Sequence, residues 1–362
     1  MRILIDLTSL SYHLSGIERY ALCVTEEMLK CDLKNEYILL FRNEEYKDLQ
    51  SLIHSRKNIE TVILHGEHKL FFFQMVIPLA LYKYKADRYL FFAFPCPILF
   101  YNKNIYNTIH DMGRWDFPGK NKISLFYFKT TESIALRKSK KVFTVSEFSK
   151  ERIHFNVNTP YEDIIVTYNG ITKNISESKV DFEDIKDKYF LPSRYIMFLS
   201  TLQPRKNLKL LLEAFSEIKD YVDYDLVLIG RKGWEVDELI SKYSVENRVI
   251  ITGFVEDKDV AAIYKKALCF VFPTLYEGFG IPPVEALANG TPVISSDSSC
   301  MKEILRDQAI YFENNNKDEL KELLMKVSSL SAKMPHELDS FMLENYDYKK
   351  SAQIILDTIS ID

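Results

Sequence analysis

The sequence predicts an α/β protein made of two doubly wound parallel sheets, and three observations carry that prediction. Short β-rich runs alternate with longer helical patterns along most of the chain. Several of these runs are almost continuously apolar, as strands covered by helices on both faces must be. The alternating series also occurs twice, on either side of a polar stretch from Lys173 to Pro192. A chain of 362 residues suits two or three domains at ~100–200 residues each.

In the first half the strand candidates are Arg2–Leu7, Tyr37–Phe41, Thr61–His65, Arg88–Phe94, Ile105–Ile109, Lys141–Val145 and Ile164–Tyr168. After the first of them, Ile17, Tyr20, Ala21, Val24 and Met28 recur at helical spacing. The second half offers Tyr195–Thr201, Asp225–Ile229, Val249–Thr252, Cys269–Pro273, Pro292–Ser295 and Ile310–Phe312. Between them, Leu208, Leu211, Leu212, Phe215 and Ile218 share one helical face, and Val260, Ile263, Tyr264 and Ala267 another. The expected division is an N-terminal domain over 1–172, a linker over 173–192 and a second domain over 193–345. A last helix over 346–362, capped by Asp347, would turn Tyr348, Ala352, Ile355 and Ile359 inward and pack back toward the first domain.

Composition excludes several classes. Hydrophobic residues make up 47% and charged residues 27%, values of a folded globular chain, so disorder and fibrous repeats are excluded. The net charge of −4 argues against general nucleic-acid binding. Basic residues outnumber acidic ones over 1–180, and the reverse holds over 181–362, which suggests domains with different surroundings. Five cysteines, an odd number without a CxxC pair, indicate neither a disulfide framework nor a zinc site, and fit a reducing cytoplasmic setting. The opening MRILIDL reads as an apolar strand rather than a signal peptide. The most apolar stretch, Leu70 to Tyr82, holds Gln74 and Pro78 and falls short of the ~20 residues a spanning helix needs.

Only 11 glycines are present, so those in loops stand out. In the segment Tyr276 to Ser296 an apolar strand runs into Glu277, then Gly278, Phe279 and Gly280, then Ile281 and two prolines that suit a helix start, with Glu285 expected in the first turn. A glycine-bearing loop ahead of a helix, at the carboxyl end of a strand, is where open α/β sheets take phosphate-bearing ligands. Alone, either glutamate is better read as a solvated acid, or Glu285 as one that stabilises its helix start; Glu-Gly-Phe-Gly-x-Pro-x-x-Glu together is far more specific. In Ser200 to Leu208, Arg205 and Lys206 occupy another strand-to-helix turn, where two cations suit a diphosphate and Asn207 could cap the helix; a solvated basic loop is the plain alternative. The strand ending at Ile109 delivers His110 and Asp111 to a sheet edge, as a satisfied core histidine or as a group that orients a hydroxyl. Gly16, after the first strand, opens the first helix. Neither GxGxxG nor GxxxxGK[ST] occurs, which removes the main support for dehydrogenase and P-loop readings.

With these segments in view, the chain resembles the family 4 glycosyltransferases, retaining enzymes of the GT-B fold with two Rossmann-like domains facing across a cleft. The resemblance rests on FLSTLQPRKNL, LVLIGRKGW, VIITGFV and PTLYEGFGIPPVEALANGTPVISS, with SGIERY, IHDMGRWDFP, VFTVSEFSK and VTYNGI in the first half. It implies that Glu285 holds the donor's ribose, and that Glu277 holds the donor sugar with the amides of Phe279, Gly280 and Ile281, with Gly278 also at the donor. It also implies that Arg205 and Lys206 neutralise the diphosphate, Gly16 approaches the phosphates, His110 sits beside the transferred sugar, and Arg231 and Val255 flank the base. Ser200 and Gln203 stand where relatives commonly have Gly and Glu. The implied reaction moves a hexose, mannose first, to a glycan or a polyprenyl-diphosphate-linked sugar in surface polysaccharide synthesis (O-antigen, capsule or lipopolysaccharide). The donor would be GDP-mannose, then a UDP-hexose or dTDP-rhamnose, with no further cofactor and no metal. A sugar-nucleotide epimerase and an inactive nucleotide-sugar-binding subunit are the competing readings. The segment from Lys120 to Lys141 interleaves seven basic residues with Leu, Phe and Tyr. It is either a core helix with a basic outer face or a peripheral contact with the inner face of the cytoplasmic membrane.

Overall fold

A computed structural model describes residues 1–12, 14–118, 121–171, 180–200, 203–230, 236–330 and 338–361. Two compact units emerge: Met1–Gly170 with Asn345–Asp362, and Ile171–Glu344.

The first unit holds a seven-stranded parallel sheet in the order β3-β2-β1-β4-β5-β6-β7. Its strands are β1 (Arg2–Asp6), β2 (Glu36–Arg42), β3 (Ile59–Leu64), β4 (Arg88–Phe91), β5 (Ile105–Thr108), β6 (Ser139–Thr144) and β7 (Ile164–Val166). The second unit repeats the plan in six parallel strands, ordered β10-β9-β8-β11-β12-β13. These are β8 (Tyr195–Leu199), β9 (Asp225–Ile229), β10 (Val249–Gly253), β11 (Phe270–Phe272), β12 (Val293–Ser296) and β13 (Ile310–Phe312). Every strand expected from sequence is present, with ends moved by a few residues. Both sheets reverse direction of winding beside their first strand, between β1 and β4 and between β8 and β11. Such a switch point opens a crevice at the carboxyl ends of two neighbouring strands.

Burial explains why the apolar runs became strands. Ile3, Leu4 and Ile5 of β1 and Leu226, Val227 and Leu228 of β9 are fully buried, since helices cover both sheet faces. The helix Leu208–Ile218 lays Leu211, Leu212 and Phe215 on the second sheet. The first helix, Gly16–Cys31, starts with a capping box between Ser15 and Glu18 and buries Tyr20, Ala21, Val24 and Met28.

The last helix, Tyr348–Ile361, belongs to the first unit. It buries Tyr348, Ala352, Ile355 and Ile359. Ser351 Oγ donates to the Tyr168 carbonyl at 2.7 Å, and the Ile359 carbonyl accepts from Arg88 Nε at 2.8 Å. Asp347 caps the helix by accepting from the Lys349 amide at 2.9 Å.

Three local expectations need correction. From Phe182 on, the stretch expected as linker is part of the second unit: the helix Phe182–Lys186 buries Phe182 and Ile185, and Lys188 and Tyr189 both bond Asp259. The rest of that stretch, up to residue 179, lies outside the described residues. Asn207 stands at the N-cap of its helix in a left-handed conformation, yet its side chain makes no cap bond and reaches Asn315 instead. The helix Ile281–Ala288 begins after Gly280, so Glu285 falls in the second turn rather than the first.

Candidate active site in the second unit

Lys206 and Glu277 meet at the switch point of the second sheet. Lys206 lies in the 3₁₀ turn Pro204–Lys206 after β8, and Glu277 in the loop after β11. The Lys206 ammonium bonds Glu277 Oε1, and both side chains are about nine-tenths buried. Two backbone-directed bonds hold the loops together: the Arg205 carbonyl accepts from the Leu275 amide at 2.8 Å and faces Thr274 Oγ1 at 3.3 Å. Thr274 Oγ1 also lies 3.2 Å from Glu277 Oε1, so it can serve the carboxylate or the turn. The Glu277 amide donates to Ser299 Oγ at 3.0 Å, and its carbonyl accepts the buried Cys300 thiol at 3.3 Å. Ser296 and Ser298 hydroxyls both donate to the Thr274 carbonyl at 2.6 Å. The acid is therefore fixed from three strand ends at once.

The helix that follows supplies donors. Gly280 has φ +87°, a left-handed conformation that turns the chain into the helix Ile281–Ala288. Pro282 and Pro283 carry no N–H, so the amides of Gly280 and Ile281 are the donors of the helix start. Tyr264 anchors this start by donating to the Pro282 carbonyl at 3.1 Å. Gly278, Phe279 and Glu285 are buried in the same region. Arg205 is half-buried, with Nε near Gln203 Oε1 at 3.4 Å. Val255, buried, follows β10. Arg231 lies outside the described residues.

Gly16 and His110 belong to the first unit, at the carboxyl end of its sheet. His110 Nε2 donates to the Phe92 carbonyl at 2.8 Å, and its ring meets the edge of Tyr20 at 5.0 Å. Asp111 accepts from the Gly113 amide at 2.7 Å. Burial holds His110 below its ordinary value of 6.5, against the opposing pull of Phe92 and Asp111. The folded protein thus binds this proton later than the unfolded chain does. Its contribution to stability is complete above pH 6.5 and is lost as pH falls through the folded value. Thermal midpoints should decline below pH 6.5, and less steeply for His110→Asn; an identical slope in both proteins would contradict this reading.

A cavity of about 840 Å³, missed by the sequence reading, opens beside the first sheet between residues that follow β1, β2 and β4. Leu10, Phe72, Phe94 and Tyr127 supply apolar walls, and Arg42 and Glu132 charge. Glu132 accepts from Trp115 Nε1 at 2.8 Å; burial raises its carboxyl. No cluster of three or more His, Cys, Asp and Glu able to hold a metal occurs among the described residues.

Residues 181–341 match the model of the family "Glycosyl transferases group 1". That match falls within the second unit of the chain. The chain is 26% identical over 337 residues to O-antigen chain mannosyltransferase B of Escherichia coli, covering 88% of each chain. It is 27% identical over 253 residues to O-antigen chain mannosyltransferase RfbU of Salmonella typhimurium, covering 68% of this chain and 67% of that protein. In structure the chain matches Anabaena Alr3699/HepE, solved with UDP and glucose, with a TM-score of 0.72 over all of both chains at 15% identity. That likeness shows the fold, GT-B, and the chain has its two parallel sheets.

Proposed function

We propose that the protein is a retaining mannosyltransferase of surface polysaccharide synthesis. It would use GDP-mannose and act on a glycan or a polyprenyl-diphosphate-linked sugar. The observation that carries this is the buried Lys206–Glu277 pair at the switch point of the second sheet. The two O-antigen mannosyltransferases among its relatives support the sugar and the setting.

The chemistry follows from charge. As the glycosidic bond to the diphosphate breaks, the leaving group gains negative charge. Cations fixed beforehand stabilise that state more than the ground state. Lys206 and Arg205 stand at one edge of the site, and the amides of Gly280 and Ile281 at another. In this reading Glu277 takes hydroxyls of the transferred sugar and Glu285 the ribose, while Gly16 and His110 meet the phosphates and the sugar. The acceptor attacks the face the diphosphate leaves, and a phosphate oxygen takes its proton. Neither glutamate serves as the acid–base carboxylate of a hydrolase. Lys206 and Arg205 supply the charge that a divalent metal would otherwise bring, so transfer should persist in EDTA.

A thermal-shift panel of GDP, UDP and dTDP tests the donor site. A nucleotide at about a hundred times its Kd adds ~2.7 kcal/mol to stability. GDP should give the largest shift, and Glu285→Ala should lose most of it. Glu277→Ala should keep the shift yet lose transfer. If none of the three nucleotides stabilises the wild-type protein, the donor site is misassigned.

A further inference from the structure

The helical segment Lys69 to Lys83 exposes the wrong chemistry. It runs as a short helix Lys69–Phe71, a π turn Phe72–Val76 and a helix Ile77–Lys83. Phe72, Ile77 and Leu81 face inward and are buried against the first sheet. The outward positions are Leu70, Phe71, Met75, Leu79 and Tyr82; Phe71 is 61% and Leu79 67% exposed. No charged residue stands between Lys69 and Lys83. A helix facing water carries polar residues on its outer side, and this one is apolar on both.

The apolar strip is not isolated. The Tyr82 hydroxyl donates to the Leu99 carbonyl at 3.2 Å and accepts from the Tyr101 amide at 3.1 Å, which sets the exposed Leu99 and Tyr101 beside it. On the other flank Gln74 Nε2 donates to the Tyr127 hydroxyl at 3.0 Å. That bond ties the strip to the helix Lys122–Lys138, whose first turns expose Ile123 (84%) and Phe126 (74%). Contiguous apolar surface on this scale marks an interaction site.

Charge selects the occupant. From His68 to His110 the sequence has one acid, Asp87, against Lys69, Lys83, Lys85, Arg88 and Lys103. From Phe117 to Thr131 it has no acid, with Lys120, Lys122 and Lys129. A second copy of the chain would oppose lysine to lysine here, with Asp87 the one carboxylate in these stretches to answer them. An anionic lipid surface answers both features, taking aromatic and aliphatic side chains at its headgroup boundary and lysines at its phosphates. We propose that this face of the first unit docks on an anionic bilayer, with Phe71, Met75 and Leu79 entering it. No helix among the described residues is long and apolar enough to cross a membrane, so the contact is peripheral. Sequence alone pointed to 120–141 for such contact. Yet the helix Lys122–Lys138 buries Thr131, Glu132, Ala135 and Leu136, so only its first turns join the surface. Lys69 and Leu70, at one end of the strip, also line the 840 Å³ cavity, which places that cavity beside the bilayer.

Docking goes beyond the transferase reading and is tested apart from it. The full chain is sedimented with vesicles of phosphatidylethanolamine and phosphatidylglycerol, or of phosphatidylcholine alone. Wild type should partition onto the anionic vesicles and be released by added salt. Met75→Gln with Leu79→Gln, both at exposed positions, should lower partitioning about tenfold or more. Lys83→Glu with Lys85→Glu should remove the preference for anionic lipid. Both variants should keep the wild-type melting temperature and nucleotide-induced shift. The proposal is overturned if wild type stays in the supernatant, or if the glutamine variant sediments like wild type. It is equally overturned if light scattering shows the strip closing a dimer that ignores vesicles.

Discussion

Lys206→Met should lower transfer by about two to three orders of magnitude, the scale seen when one preorganised charge donor is removed from a transition state. It should also destabilise the second unit. Lys206 and Glu277 are both buried, and truncating one partner of a buried pair costs about 3–5 kcal/mol, because the other charge is left without compensation. These two effects separate in a double variant. Lys206→Met with Glu277→Gln removes both charges, leaving Thr274 to bond the neutral side-chain amide while Ser299 still holds the backbone N–H of residue 277. Most of the lost stability should return, measured by urea unfolding, while transfer stays absent. A double variant as unstable as the single one would show that the pair does not act as a unit. Donor binding is the third readout. The ammonium has three donors and spends one on Glu277, so it can reach a phosphate without breaking the pair. GDP should therefore bind Lys206→Met weakly even where the fold is intact, while Glu277→Gln keeps its affinity.

The fold was legible because parallel strands are covered on both faces and so read as apolar runs. Leu226 to Ile229 or Ile3 to Ile5 needs no periodicity to be recognised. The site loops were legible for a different reason: glycine and proline punctuate them, and Gly280 with Pro282 and Pro283 marks a helix start. The pairing inside the site was not. Lys206 and Glu277 lie 71 residues apart, and their contact depends on β8 and β11 being neighbours in the sheet. Thr274 and Ser296 sit inside a motif and Ser298 just beyond it, yet what they do appears only when the carbonyl of Thr274 collects the two serine hydroxyls. The outward strip of Lys69–Lys83 was illegible in principle. A segment apolar all round has no periodic contrast, so nothing in it separates Leu81, inside, from Leu79, outside.

Gly230→Ala should be the most damaging single methyl in the second unit. Gly230 ends β9 beside β8, in a conformation with φ +137° that side chains rarely adopt. A Cβ there would stand 2.0 Å from the carbonyl oxygen of Ser200. That oxygen is main chain and cannot rotate away. The neighbouring strand is held in place, because Ser200 donates its amide to the Ile229 carbonyl at 3.1 Å and Gly230 donates its own to the Gly253 carbonyl at 2.9 Å. Forcing an L-residue into such a conformation costs about 1–3 kcal/mol before any clash. The displacement of Ser200 adds to it, so a loss of roughly 3–5 kcal/mol is expected, at the upper end for single substitutions. The damage should extend to function, since Ser200 leads into the turn that carries Arg205 and Lys206. Moving the end of β8 would move Arg205 and Lys206 away from the proposed diphosphate, and positioning errors of this size lower rates steeply. Urea unfolding with GDP titration separates the outcomes. A variant that loses stability and GDP affinity together supports the close approach of β8 and β9 as the frame of the donor site. Wild-type values for both would mean that the strand ends have room to part.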